Sequence, residues 1–429
     1  MNNNITFFKV RFTLDSPLAV GSGENANTDS DVILDSRNNP VIPASSIAGI
    51  IHHFLEDTGR CSDELWGTTE NGKGIPSKIK FYDAVTTVTD DFITVRDSVA
   101  LENKIESEIS GNETANNKVG VQGAKFDKEA IESGADFVTL IELDKITEDE
   151  KTSILCALSA IDSGYLRLGS KSTRGYGKLK ITALKEAFFS LPDDRKKWLD
   201  FDQYNYDADD CYTDITDKLS EYSAEKYYSK ITLNLKQKGA LSIRSYTVKD
   251  ISKADFIQLS DKNGNPVIPG TSWAGAFRSR FKKLSGSPEL TEKLFGYVDT
   301  QNKSQKKSGI VFSESKLKDS SEKLITRTSV DRFSGGVKNK ALYSELTCYN
   351  GRCRLEIIIS NKIPEAEKCM TVLCAVICDL DKGYLSTGGL TSVGRGIFEV
   401  EKMELNGKDV TEALRQCDIA KMMEGGIIG

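Results

Sequence analysis

Asp29 and Asp255 stand at the same place in a pattern that the chain carries twice. The first precedes Pro40-Val41-Ile42-Pro43 and the second precedes Pro266-Val267-Ile268-Pro269, at one offset of 226 residues. A loop carboxylate can take a proton as a general base. It can also hold a divalent ion that acidifies a hydroxyl and offsets phosphate charge. The ordinary role of a lone loop aspartate is a turn residue, and the shared register is what favours chemistry here. Asp31 competes with Asp29, but its counterpart is Ile257, so Asp29 is preferred. Asp35 and Asp261 precede Asn-rich turns and are expected to be Asx-turn residues.

His52 and His53 are the only histidines. Neighbours on a helix point about 100° apart, which argues against their acting together on one phosphate. A nucleophile elbow, a Walker loop and zinc-ligand spacing are all missing from the sequence, so no zinc site is expected. Nine cysteines form an odd set without Cys-x-x-Cys, and Cys369, Cys374 and Cys378 lie in an apolar, helix-like stretch. They read as reduced core thiols, which together with an N-terminus that has no apolar run before its first charges and the lack of a spanning apolar run predicts a cytoplasmic protein with no membrane partner.

The elements that must position the aspartates are also duplicated. Alternating apolar residues predict half-buried strands at 6–14 and 230–235. A Pro-Ala/Gly-Ser/Thr-Ser start then predicts helices over 47–55 and 273–281. Further strands are expected at 93–99 and 324–330, each running into an irregular polar insertion, and then at 136–142 and 353–359. Helices at 148–162 and 364–381, glycine-rich turns and final strands close each copy. The turns match without a gap over 162–177 and 381–396. Strand, helix, strand, strand, helix, strand is a split βαβ, or ferredoxin-like, order. The expected class is therefore α+β, with domains at 1–189 and 228–429 joined by an acidic linker at 190–227.

Net charge is −6, yet it is unevenly spread. Residues 190–226 hold 11 acidic and 5 basic residues, whereas 230–283 hold 11 basic and 3 acidic. Such segregation allows a basic surface on an acidic protein, although a solvated lysine-rich face would look the same.

Taken in order, Pro17-Leu18, Gly21-Ser22-Gly23, Asp29, the Pro40–Gly49 stretch, Gly164-Tyr165-Leu166 and Arg174-Gly175-Tyr176-Gly177 resemble the RAMP superfamily. More narrowly they look like the backbone subunit of type III CRISPR effector complexes. Pro269–Gly275 and Arg327-Thr328-Ser329-Val330-Asp331-Arg332 repeat the likeness in the second copy. Two such units in one chain look like the fused double backbone subunits of subtype D systems. The resemblance implies tandem domains related to the RNA-recognition fold, each with a thumb-like hairpin. It implies guide RNA, target RNA and other effector subunits as partners, and target cleavage beside a displaced nucleotide. Asp29 and Asp255 would be the catalytic residues and the ligands of Mg2+ or Mn2+.

Expected RNA contacts follow from the same likeness. Ser45, Ser46, Thr271 and Ser272 open helices whose N–H groups suit a guide phosphate, plain capping being their other role. Arg278 and Arg280 lie on the second of those helices, where the first copy has His52 and Phe54. Lys171 and Arg174 line the first glycine turn; Arg395 stands in the second, where Tyr176 is in the first. Arg96, Arg327 and Arg332 lie at the presumed thumbs. The competing readings are a scaffold with one or both sites silent, and a guide-processing nuclease using His52 or His53.

Overall fold

The computed structural model describes residues 4–21, 31–70, 73–86, 92–100, 124–245, 254–299 and 303–424. In each copy one long strand lies between two antiparallel partners. Asn4–Leu14 sits between Asp136–Asp144 and Leu179–Ser190. Tyr228–Lys238 sits between Arg352–Ser360 and Ile397–Leu405. Both central strands slip register at the equivalent point, between Arg11 and Phe12 and between Asn234 and Leu235. A bulge bends a strand and increases its twist, so the two sheets share this local bend as well as their order.

Two helices cover one face of each sheet. Ala44–Thr58 buries Ile47, Ile51, Phe54 and Leu55, the stripe of an amphipathic helix. Gly270–Ser285 buries Trp273, Phe277 and Phe281 in the same phase. Both end on a left-handed glycine, Gly59 and Gly286. Glu148–Asp162, opened by a Thr147/Glu150 capping box, and Ala366–Asp381 complete the layers. Cys369, Cys374 and Cys378 are buried on the last of these, as core thiols should be. The α+β class holds in both copies, and two large apolar clusters form separate cores. Among the described residues no helix is long and apolar enough to cross a membrane.

Two expectations change. The strand Asn4–Leu14 is not half-buried: Phe7 and Phe8, which point to opposite faces, are both fully buried. Its second face is covered by the acidic stretch read as a linker. Trp198 and Phe201 from that stretch pack on Phe7 and Phe189. Burying one such ring contributes roughly 2 kcal/mol. Thr213–Asp214 adds a strand to the sheet edge, and Lys9 binds Asp209 at 2.6 Å. The second change concerns the insertion after Val330, which reads as irregular from its residues although the resemblance implies a thumb-like hairpin. Ser321–Val330 and Val337–Tyr349 instead pair as a long hairpin, with Arg327 opposite Tyr343. In the first copy Ile93–Ala100 pairs Ala124–Ile131, and the polar stretch between them lies outside the described residues.

The copies also lock together. Arg96 binds Glu132 through Nε at 2.7 Å and reaches Glu314 of the second copy through Nη1 at 2.7 Å. Lys178 joins Asp15 at 2.9 Å to Glu356 at 3.0 Å across the same boundary. The Arg174 carbonyl lies so near Gly270 that a Cβ there would come within 2.5 Å of it.

Candidate nucleic-acid interface

Asp255 lies on the exposed surface beside the second hairpin. The hairpin fixes it: Asp255 N–H donates to the Ser344 carbonyl at 3.1 Å, and Phe256 forms a parallel bridge with Glu345. Ser344 in turn donates its N–H to Asp255 Oδ2 at 2.6 Å and its hydroxyl to the same oxygen at 3.0 Å. These bonds, the backbone one first, hold the carboxyl below its ordinary value. Asp255 is thus an ionised, outward-facing carboxylate and a weak base. Among the described residues both Ser344 bonds go to Oδ2, and an ion would be held through Oδ1. One carboxylate with phosphate oxygens and water is a donor set that Mg2+ accepts.

Asp29 lies outside the described residues. Asp35 and Asp261 are Asx-turn residues. Asp35 accepts from the N–H of Arg37 and Asn39 at 2.8 Å each, and Asp261 from Asn263 at 3.0 Å and Asn265 at 2.9 Å.

The helix starts differ from the capping role considered for them. Pro43 and Pro269 are the N-caps, and neither helix has a side-chain cap bond. Ser45 is exposed, while Ser46, Thr271 and Ser272 are half-buried. The first helix start already holds an anion: Ala44 N–H donates to Asp83 Oδ1 at 2.7 Å.

Several of the basic residues are turned inward. Arg96 is 6% exposed between Glu132 and Glu314, so it is an internal ion-pair residue and not a backbone contact. Arg395 is 2% exposed and bound to Glu345 at 2.6 Å, which corrects its assignment in the same way. Arg280 holds Asp379 at 2.6 Å and is mostly covered. Arg278, Arg174 and Arg332 are exposed; Arg327 is half-buried. Lys171 sits over the Tyr176 ring at 5.5 Å. The glycine turns are explained by their own chain: a Cβ on Gly177 or Gly396 would overlap the carbonyl oxygen of Leu168 or Thr387.

His52 and His53 meet one carboxylate after all. Their Nδ1 atoms lie 3.6 and 3.3 Å from Glu56 Oε2, because a glutamate one turn later can reach both rings. They are, with Glu56, the one group of three metal-capable side chains among the described residues, and the group is partly to well exposed. Asp255 is not part of it.

The profile of the RAMP superfamily matches residues 11–180 and again 239–399. The chain belongs to the RAMP superfamily. A comparison with curated proteins gives no match. In this RAMP protein the first match takes in the helices Ala44–Thr58 and Glu148–Asp162 and the paired strands Ile93–Ala100 and Ala124–Ile131. The second takes in the helices Gly270–Ser285 and Ala366–Asp381 and the strands Ser321–Val330 and Val337–Tyr349, while the central strand Tyr228–Lys238 lies just before it. Members of the family bind RNA within CRISPR-associated complexes. What sequence reasoning missed in this RAMP protein is the charge beneath Asp255 and between the copies. Glu314, Glu345 and Glu356 carry no local signal, since their partners arrive from distant strands.

Proposed function

We propose that this RAMP protein is a double backbone subunit of a type III, subtype D-like CRISPR ribonucleoprotein. In this reading residues 1–189 and 228–429 are two ferredoxin-like domains related to the RNA-recognition fold. Residues 190–227 join them, and the hairpins at 93–131 and 321–349 are their thumbs. The chain binds guide RNA along its phosphate backbone in the cytoplasm and cuts the paired target RNA at two points, beside Asp29 and Asp255. The observation that carries the reading is the second hairpin holding an ionised, exposed carboxylate at the family position in a chain that matches the RAMP profile twice.

In this reaction the ribose 2′-oxygen bonds to phosphorus while the bond to the 5′-oxygen breaks. The hydroxyl proton is lost and the departing 5′-oxygen gains one, leaving a 2′,3′-cyclic phosphate and a 5′-hydroxyl. Asp255, a weak base, serves best by orienting the strand and by holding a divalent ion. When bound, Mg2+ or Mn2+ would acidify the 2′-hydroxyl and offset phosphate charge. The test uses assembled complexes carrying Asp29→Ala, Asp255→Ala or both. Each single variant should lose one distinct product, by about a hundredfold or more. Unchanged products in the double variant would leave the chain a non-catalytic guide-RNA scaffold.

A further inference from the structure

Asp255 has a charged neighbour that the aspartate motif does not include. Arg244–Ser245 pairs with Ile257–Gln258, which puts Arg244 opposite Gln258, three residues past Asp255. Its guanidinium carbon lies 4.2 Å from the centre of the Phe256 ring, the residue that follows Asp255. Beneath it, Glu345 is 1% exposed and accepts from the Ser242 hydroxyl and from Arg395 Nη1 at 2.6 Å. Arg244 Nε stops 3.5 Å from Glu345 and makes no hydrogen bond. Two guanidiniums therefore share one buried carboxylate. Arg395 already neutralises Glu345, and its Nε and Nη2 are buried without a hydrogen-bond partner. Among the described residues the positive charge left over belongs to Arg244, which is 27% exposed.

Among the described residues, the first copy has no arginine at the matching position. Matching hydrogen bonds align the two: Ser170 N–H to the Ala19 carbonyl with Gly389 N–H to Ser242, and Gly177 to Pro17 with Gly396 to Ala240. On that alignment Gly21, bridged to Val32, falls on Arg244, paired with Gln258. We propose that Arg244 grips the scissile phosphate of RNA at the second copy's site, which thus carries a cation where the first copy has Gly21. The proposal rests on the cleavage reading above. Its chemistry is that of a planar fork on a phosphate, held in place by the Phe256 face and drawn only weakly inward by Glu345.

The test is single-turnover cleavage by the assembled ribonucleoprotein, with the two products resolved, for Asp255→Ala, Arg244→Ala and Arg244→Lys. Arg244→Ala should slow the second-copy product by about a hundredfold and leave the other product unchanged. Arg244→Lys should recover part of the rate, and guanidinium ion added to Arg244→Ala should restore part of it. If Asp255→Ala removes its product while Arg244→Ala changes neither rate, the arginine proposal is overturned and the cleavage reading stands. Loss of both products in Arg244→Ala without rescue would mark a structural residue, which also overturns it. If Asp255→Ala alters no product, the cleavage reading fails first.

Discussion

Arg96 shows why a basic residue in a family position need not meet a phosphate. It lies on the first hairpin strand, where a backbone contact was expected, yet its guanidinium is divided between Glu132 and Glu314. Burial and the nearby Glu132 charge push the Glu314 carboxyl upward against the pull of Arg96, as happens when two acids share one cation. Removing one partner of a buried pair leaves an uncompensated charge, at a cost of about 3 kcal/mol or more. Arg96→Met should therefore lower the unfolding free energy of the isolated chain by that amount, read as a lower urea midpoint. An unchanged midpoint with weakened guide binding would instead return Arg96 to the RNA surface.

Among the elements, the second hairpin exposes more apolar surface than a free strand pair should. Leu324, Val330, Val337 and Leu342 are each more than half exposed, and Phe333 at the tip is 96% exposed. The tip is built to hold this shape, since Asp331 accepts from the N–H of Phe333 at 3.0 Å and of Ser334 at 2.9 Å. Apolar side chains left exposed along one hairpin suit a surface that a partner covers; on the proposed reading that partner is the guide–target duplex or an adjoining subunit. Phe333→Ala should change stability of the free chain by less than about 0.5 kcal/mol. It should nonetheless reduce second-site cleavage or assembly, measured on the reconstituted complex. A variant that assembles and cuts normally would assign the patch no role. The hairpin was legible from Arg327 to Arg332 as a strand running into a polar insertion. The pairing itself was not, because Val337–Tyr349 lacks an apolar alternation strong enough to announce a strand.

At the scale of the molecule, charge joins the copies. Glu356 is 8% exposed and lies 3.0 Å from Lys178, 3.2 Å from Lys230 and 3.0 Å from Arg354. Burial alone would push its carboxyl up, but the three cations outweigh it and bring it down to about 2. A folded value below the unfolded one means stability that is complete above the ordinary glutamate value of 4.5 and is lost as pH falls toward about 2. Urea unfolding across that window should show the chain weakening, and Glu356→Gln should flatten this part of the slope. If the slope is unchanged in the variant, Glu356 is not the group being titrated.

Much of this protein could be read from its sequence alone. The duplication, the α+β class, the paired helices and the buried cysteines all follow from local periodicity, and local periodicity is written in neighbouring residues. The aspartate register follows from repetition, which needs no geometry. What needed the tertiary structure were the partners that distance hides. The acidic stretch became a cover because Trp198 and Phe201 meet Phe7 across nearly two hundred residues. Arg395 went inward because Glu345 waits on another strand. Arg244 acquired its place beside Asp255 because a bulged sheet and a hairpin converge there. A charge reveals its role only through the field around it, and that field is set by residues the chain folds back to bring near.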